Sequence, residues 1–189
     1  MRVGEVYENP VTGERMEVLE AAQERLVLDF RVAPGGAVPI EHVHPAMTEA
    51  FTVHEGELTF RVRGRVRTAG PGDGETVPAG VPHAWWNAGE REARLTLEVS
   101  PPGRFGLVIG TMFQLARDGE TDASGRPSPL QLALLAREVR DVVHVARPPL
   151  PVQRVAFALL APVARMRGLR PLREYRHARA PVAHPAAVA

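Results

Sequence analysis

Between residues 12 and 100 apolar and polar positions alternate in short runs: RMEVLEA (15–21), RLVLDFRV (25–32), VPIEHVH (38–44), EAFTVHE (49–55), LTFRVRG (58–64), RVRTAG (65–70), ETVPA (75–79), HAWWNAG (83–89) and RLTLEVS (94–100). A period of two buries one face of a strand and wets the other. Turn signals such as APGG, EG, RG and PGDG separate the runs, and this spacing predicts an antiparallel all-β sandwich or barrel. After SPPGRFG the period lengthens to that of helices, predicted over about 105–117, 129–144 and 151–166. Ser128 before Pro129 caps the second, and Pro151 opens the third. Pro162, Gly168 and Pro171 are expected to break that third pattern. DGETDASGRPSP (118–129) reads as a loop.

The resulting plan is mainly β: a barrel domain over 1–102, a helical extension over 103–176, and a tail, 177–189, expected to be disordered. A chain of 189 residues is long enough to bury a proper core. The net charge of +1 conceals a split: residues 1–119 carry 12 Arg against 17 Asp and Glu, residues 120–189 carry 11 against 5. Without cysteine there is no disulfide framework and no thiolate ligand, so any metal must be held by nitrogen and oxygen. The N-terminus has no apolar stretch of signal-peptide length, which makes a cytoplasmic location the expectation. VAFALLAPVA (155–164) falls well short of the roughly 20 residues of a membrane span.

Near the C-terminus Val152, Val155, Leu159 and Val163 share one side of a predicted helix, followed by Arg165, Arg167, Arg170, Arg173, Arg176 and Arg179. The apolar side is expected to pack on the barrel or on a second copy in a homodimer, with the arginines solvated. No helix-turn-helix spacing accompanies them, so no nucleic-acid partner is expected. His144, His177 and His184 read as structural or solvent-exposed.

The chemistry gathers in EHVHPAMTE (41–49). In an extended strand residues two apart point the same way with Cα atoms about 7 Å apart, so His42 and His44 can share one ion. Pro45 ends the run, and the next strand can return with Glu49 facing the same interior, whereas His54 points away. A pair of histidines alone would equally suit a surface strand. GDGETVPAGVPHAWWN (72–87) changes the picture, because its turn delivers His83 at the start of another strand as a fourth candidate ligand.

Two spaced motifs carry a family resemblance. G-x5-H-x-H-x4-E-x6-G is met by Gly36, His42, His44, Glu49 and Gly56, and G-x5-P-x-G-x2-H-x3-N by Gly72, Pro78, Gly80, His83 and Asn87. The chain resembles the cupins over about residues 10–100, with a short intermotif hairpin like that of small bacterial members. The resemblance implies a double-stranded β-helix or jelly-roll barrel that holds one divalent transition metal (Fe, Mn, Ni, Co or Zn) on His42, His44, Glu49 and His83. Asn87 reads as a turn residue that hydrogen-bonds at the barrel rim.

Alternation turns Leu28, Phe30, Phe51, Phe60, Trp85, Leu95 and Leu97 inward, and Met47 is placed at the rim. A substrate pocket is therefore expected among Phe30, Met47, Phe51, Phe60, Trp85 and Leu97, suited to a small apolar or aromatic ligand bound through oxygen. The resemblance implies an oxygen-dependent, dioxygenase-like oxidoreductase. The alternatives are a metal-bearing binding or sensor module without turnover and a redox-neutral isomerase or lyase. No second acid or base for catalysis is evident in the sequence.

Overall fold

The computed structural model describes residues 1–177, the side chains at positions 37 and 39 excepted. Its elements are β1 (Val6–Glu8), β2 (Glu14–Ala21), β3 (Leu26–Val32), β4 (Ala37–Val43), β5 (Thr48–Glu55), β6 (Leu58–Val62), β7 (Arg65–Ala69), β8 (Gly74–Val77), β9 (His83–Trp86), β10 (Ala93–Ser100), α1 (Phe105–Arg117), α2 (Pro129–Glu138), β11 (His144–Val145) and α3 (Leu150–Met166). The strands form two antiparallel sheets, in the orders β1-β2-β3-β10-β5-β8 and β11-β4-β9-β6-β7. Their inner faces share one apolar core that includes Leu28, Phe30, Phe51, Leu95 and Leu97 from one sheet and Leu58, Phe60 and Trp85 from the other. This is the mainly β jelly roll with C-terminal helices that the alternation and the motifs predict.

The sequence reasons for the strands are visible in their burial. β10 alternates buried and half-buried residues along its whole length, and β5 buries Glu49, Phe51 and Val53 while exposing Thr52 and His54. Gly56 turns the chain between β5 and β6 at φ +69°, and a Cβ there would lie 2.6 Å from the Glu92 carbonyl oxygen. Gly36 meets the other need: its Cβ would lie 2.7 Å from the Thr12 carbonyl oxygen, so the β3–β4 turn packs backbone on backbone.

The helices complete the barrel instead of standing apart from it. α1 turns Phe105, Val108, Ile109, Met112 and Phe113 to one side, the i, i+3, i+4, i+7, i+8 set of an amphipathic helix, and this side joins the barrel core. Leu135, Val139 and Val142 join the same cluster. The segment after α3 straps the other side of α1: Thr111 Oγ1 donates to the Arg173 carbonyl (3.1 Å), and Gln114 Oε1 accepts from the Arg176 amide (2.8 Å). Tyr175 stacks on Tyr7 with centroids 4.6 Å apart, and its hydroxyl accepts from the Glu8 amide (2.9 Å).

Four expectations are corrected. The second helix stops at Glu138, not 144, where Arg104 Nη2 donates to the free Glu138 carbonyl. The β-branched residues that follow leave the helical path, and His144–Val145 pair as β11 with Val43 and His42 of β4. The three-residue strand β1 was also not foreseen. Pro162 is exposed and does not break α3, which ends at Met166 as predicted, with Gly168 (φ +74°) just beyond it and the Leu169 amide reaching the Ala164 carbonyl.

The apolar side of α3 does not pack on the barrel. The helix is held to α2 by Ala161 and Ala164 against Leu134, while Val155 is 63% and Leu159 72% exposed. Among the described residues no helix is long and apolar enough to cross a membrane. Arg179 and His184, and the tail beyond His177, lie outside the described residues.

Candidate metal centre

His42 lies near the end of β4, His83 at the start of β9, and the two strands pair them directly. The register of this pair slips between Val38 and His42, in the stretch containing Pro39, which has no N–H to continue the ladder. His44 follows β4 by one residue, and Glu49 comes from β5 in the opposite sheet. All four side chains are buried, and one ligand atom from each lies within 4.8 Å of the others.

The hydrogen bonds fix which ring nitrogen faces inward. Nδ1 of His42 donates to the Ile40 carbonyl (2.9 Å), Nδ1 of His44 to the Val142 carbonyl (2.7 Å), and Nδ1 of His83 to the Val81 carbonyl (3.0 Å). A carbonyl only accepts, so each Nδ1 carries a hydrogen and each Nε2 keeps its lone pair in the neutral ring. Burial, then the neighbouring His83 and His44 rings, pushes His42 down to about 3, which keeps it neutral. Burial likewise lowers His44.

The Nε2 atoms of His44 and His83 and Oε2 of Glu49 are buried without a hydrogen-bond partner. Glu49 Oε2 stands 2.7 Å from His83 Nε2 and 3.5 Å from His44 Nε2. Lone pairs converging in a dry site are costly unless a cation sits among them. A proton can fill part of that need: burial pulls His83 down, but the Glu49 carboxylate outweighs it and holds the imidazole up. Burial also pushes Glu49 up, and the imidazoles, His83 foremost, outweigh it and hold the carboxyl down. Three imidazoles and a carboxylate suit Fe(II), Mn(II), Co(II), Ni(II) or Zn(II), and a six-coordinate ion would keep two positions open.

His42, His44 and Glu49 form part of the wall of a cavity of about 230 Å³. Phe30, Trp85 and Leu97 line it too. Phe51 and Phe60 do not; they are buried in the core, with Phe51 5.2 Å from Phe60 and 6.2 Å from Trp85 between ring centroids. Met47 is a core residue at 4% exposure and not a rim residue. Asn87 is structural: its Nδ2 donates to the Val32 (2.9 Å) and Arg91 (2.8 Å) carbonyls.

The appendage supplies the far wall. Phe105, Val108 and Met112 of α1, and Leu132, Leu135 and Val139 of α2 and its C-cap, line the cavity together with the barrel residues. Phe105 sits 5.7 Å from the His44 ring between centroids. The sequence reading missed this wall, and it missed Glu14, His144 and Arg126, which bring titratable or charged groups to it. Glu14 accepts a hydrogen bond from Thr12 Oγ1 and occupies an inward position of β2, beside Met16 and Val18 in the alternation. That inward position was the one available signal. His144 was read as structural or exposed; it is half-buried on the cavity wall, brought there by β11.

Residues 28–100 match the family model of the Cupin domain. No curated protein matches the chain. Among solved structures, an RmlC-like cupin from Shewanella frigidimarina aligns at 22% identity over 55% of this chain and 88% of its own, with a TM-score of 0.48. A Klebsiella pneumoniae protein with a double-stranded β-helix domain aligns at 25% identity over 47% of this chain and 72% of its own, TM-score 0.43. A sugar phosphate isomerase from a cupin superfamily, from Silicibacter pomeroyi, aligns at 24% identity over 52% and 69%, TM-score 0.44.

Proposed function

We propose, from the premise that this chain belongs to the cupin superfamily through its domain at residues 28–100, that it is a metal-dependent, dioxygenase-like oxidoreductase acting on a small apolar or aromatic substrate that carries oxygen. The observation that carries this reading is the junction of the His42, His44, Glu49 and His83 cluster, through its first three members, with a mainly apolar cavity. In this reading the four side chains hold one divalent metal, which supplies Lewis acidity and, when redox-active, one-electron chemistry towards dioxygen.

The protein's own residues do the rest. The Ile40, Val142 and Val81 carbonyls hold the three rings so that Nε2 faces inward before any metal arrives, which is preorganisation of the donor set. Phe30, Trp85, Leu97 and Phe105 line the space beside the ligands, favour a flat or branched apolar body and exclude water. Glu14 and His144 are the titratable wall residues outside the ligand set that are placed to exchange a proton with a bound substrate. The redox-neutral isomerase or lyase alternative draws on the polar part of the same wall, Asn9, Thr12, Glu14, Ser124, Arg126 and His144, which is small beside the apolar part.

The test is metal content and oxygen uptake together. Protein purified without a tag or chelator is expected to hold near one equivalent of metal, lost in the His44→Ala, Glu49→Ala double variant. Loaded with iron, manganese, nickel or cobalt in turn, it is expected to consume oxygen in the presence of apolar phenols or 1,3-diketones. Metal retention with no uptake for any metal, and with a bound ligand recovered chemically unchanged, would sink the oxidoreductase reading and leave the binding module.

A further inference from the structure

Outside the metal cavity, the largest unexplained feature is the charge on the groove between α2 and α3. This groove, about 700 Å³, is lined by Arg137 and Arg140 from the end of α2 and just beyond it, and by Arg154 and Arg165 from α3. All four are exposed, and none has an ion-pair or hydrogen-bond partner among the described residues. On the barrel Arg25, Arg31, Arg67 and Arg94 each lie against a carboxylate, and the arginines that do not, such as Arg61 over the Trp86 ring, are spread along the strands and not gathered in one concavity. The one acid on the groove wall, Glu138, turns its carboxylate to Arg104 (3.4 Å), which also holds Asp141 (2.6 Å). From residue 142 to 173 the sequence has six Arg and no Asp or Glu, so Arg154 and Arg165 have no acid near them in sequence, while Arg140 has only the field of its neighbour Asp141.

Like charges gathered in one concavity repel, and the arrangement is favourable only with an anion among them. Guanidinium forks match the oxygens of a phosphoryl group in pairs, which a lone lysine cannot do. The lining also has an apolar part, which includes Leu134, Leu150 and Phe157. An anion alone would leave that part wet, whereas an organic body attached to the anion would cover it. We propose that this groove is a binding site for a small organic phosphate, the phosphoryl group among Arg137, Arg140 and Arg154 and the apolar body against Phe157, with Arg165, about 16 Å further along α3, adding positive charge at the far end. The groove is distinct from the metal cavity, with which it shares His144 and Ala136 as a common wall. It does not depend on the oxidoreductase reading, because no metal ligand contributes to it.

The probe is 1-naphthyl phosphate, followed by calorimetry and by its own fluorescence at low ionic strength. Saturable binding at one site is expected, weakened on the order of tenfold or more by Arg137→Gln with Arg154→Gln and weakened again by added salt. Arg25→Gln with Arg67→Gln is expected to leave it unchanged, as is His44→Ala with Glu49→Ala, which separates the groove from the metal cavity. All the arginine substitutions are at exposed sites, and melting curves check that the variants fold. No saturable binding to the wild type would overturn the proposal, as would binding that the groove pair does not alter. Binding to phosphatidylcholine vesicles containing about a third phosphatidylserine, with none to the soluble ester, would make the basic face a lipid contact and overturn it too.

Discussion

The barrel and the helical appendage answer the same problem, building a cavity beside the cluster of three histidines and a glutamate, with opposite kinds of sequence information. On the barrel side each functional residue is announced locally: His42 and His44 by strand period, Glu49 and His83 by turns that return the chain to the same interior. On the appendage side nothing is announced, yet Val142 supplies the carbonyl that orients His44 at 2.7 Å, and Phe105 packs on the His44 ring. A cluster of candidate ligands can therefore be read from short-range spacing, while the groups that orient its rings and pack on them are set by long-range packing.

The strongest way to break this comparison is to remove one of its members. A fragment ending at residue 102 lacks Phe105, Val108, Phe113, Leu135, Val139 and Val142, all members of the same core cluster as the barrel strands. It is expected to lose cooperative thermal unfolding and to aggregate, since it exposes the inner wall of the cavity. A fragment that melts cooperatively and binds metal like the whole chain would show that the barrel stands alone.

A finer cut separates packing from mere presence. Phe105 is 4% exposed and Leu159 72% exposed, although both are large apolar residues on appendage helices. Phe105→Ala is expected to cost about 3–5 kcal/mol in urea unfolding, and Leu159→Ala no more than about 0.5 kcal/mol. Phe105→Ala should also weaken metal binding by loosening His44. Equal costs would mean that the exposed side of α3 is covered in solution, as the homodimer expectation requires.

That contrast also marks where reading from sequence ran out. Periodicity shows that Val152, Val155, Leu159 and Val163 share a side of α3, but not which side packs. The helix instead seats Ala161 and Ala164 on Leu134, because small residues let two helix backbones approach closely. β11 is two residues long and owes its existence to the open edge of β4, so no local pattern could separate it from the helix before it. The pocket residues divide for a related reason. Alternation turns Phe30, Phe51, Phe60 and Trp85 inward alike, but Phe60 pairs with Trp85 and Phe51 with Leu97 in register, so it is the strand's place across the sheet that lets Phe30 and Trp85 meet the cavity while Phe51 and Phe60 fill the core.

The smallest expected effect lies where the two regions are tied at the chain ends. Glu5 precedes β1 and gathers Arg2 Nε (2.8 Å), the Tyr7 hydroxyl (2.9 Å) and, more distantly, His177 of the strap (3.9 Å). Burial pushes its carboxyl up, but the hydrogen bonds from Arg2 and Tyr7 outweigh it and hold it at about 2. A carboxyl lower in the folded than in the unfolded chain stabilises above its unfolded value, about 4.3, and that stability is lost as pH falls towards 2. For a partly exposed ion pair the gain is up to about 1 kcal/mol. Glu5→Gln should therefore lower the melting temperature slightly at neutral pH and flatten its decline between about pH 4.5 and 2. Other carboxylates titrate in that window, so the reading is the difference between the two proteins: a gap that closes on acidification supports the tie, and a gap that stays constant assigns the loss to packing at the strap.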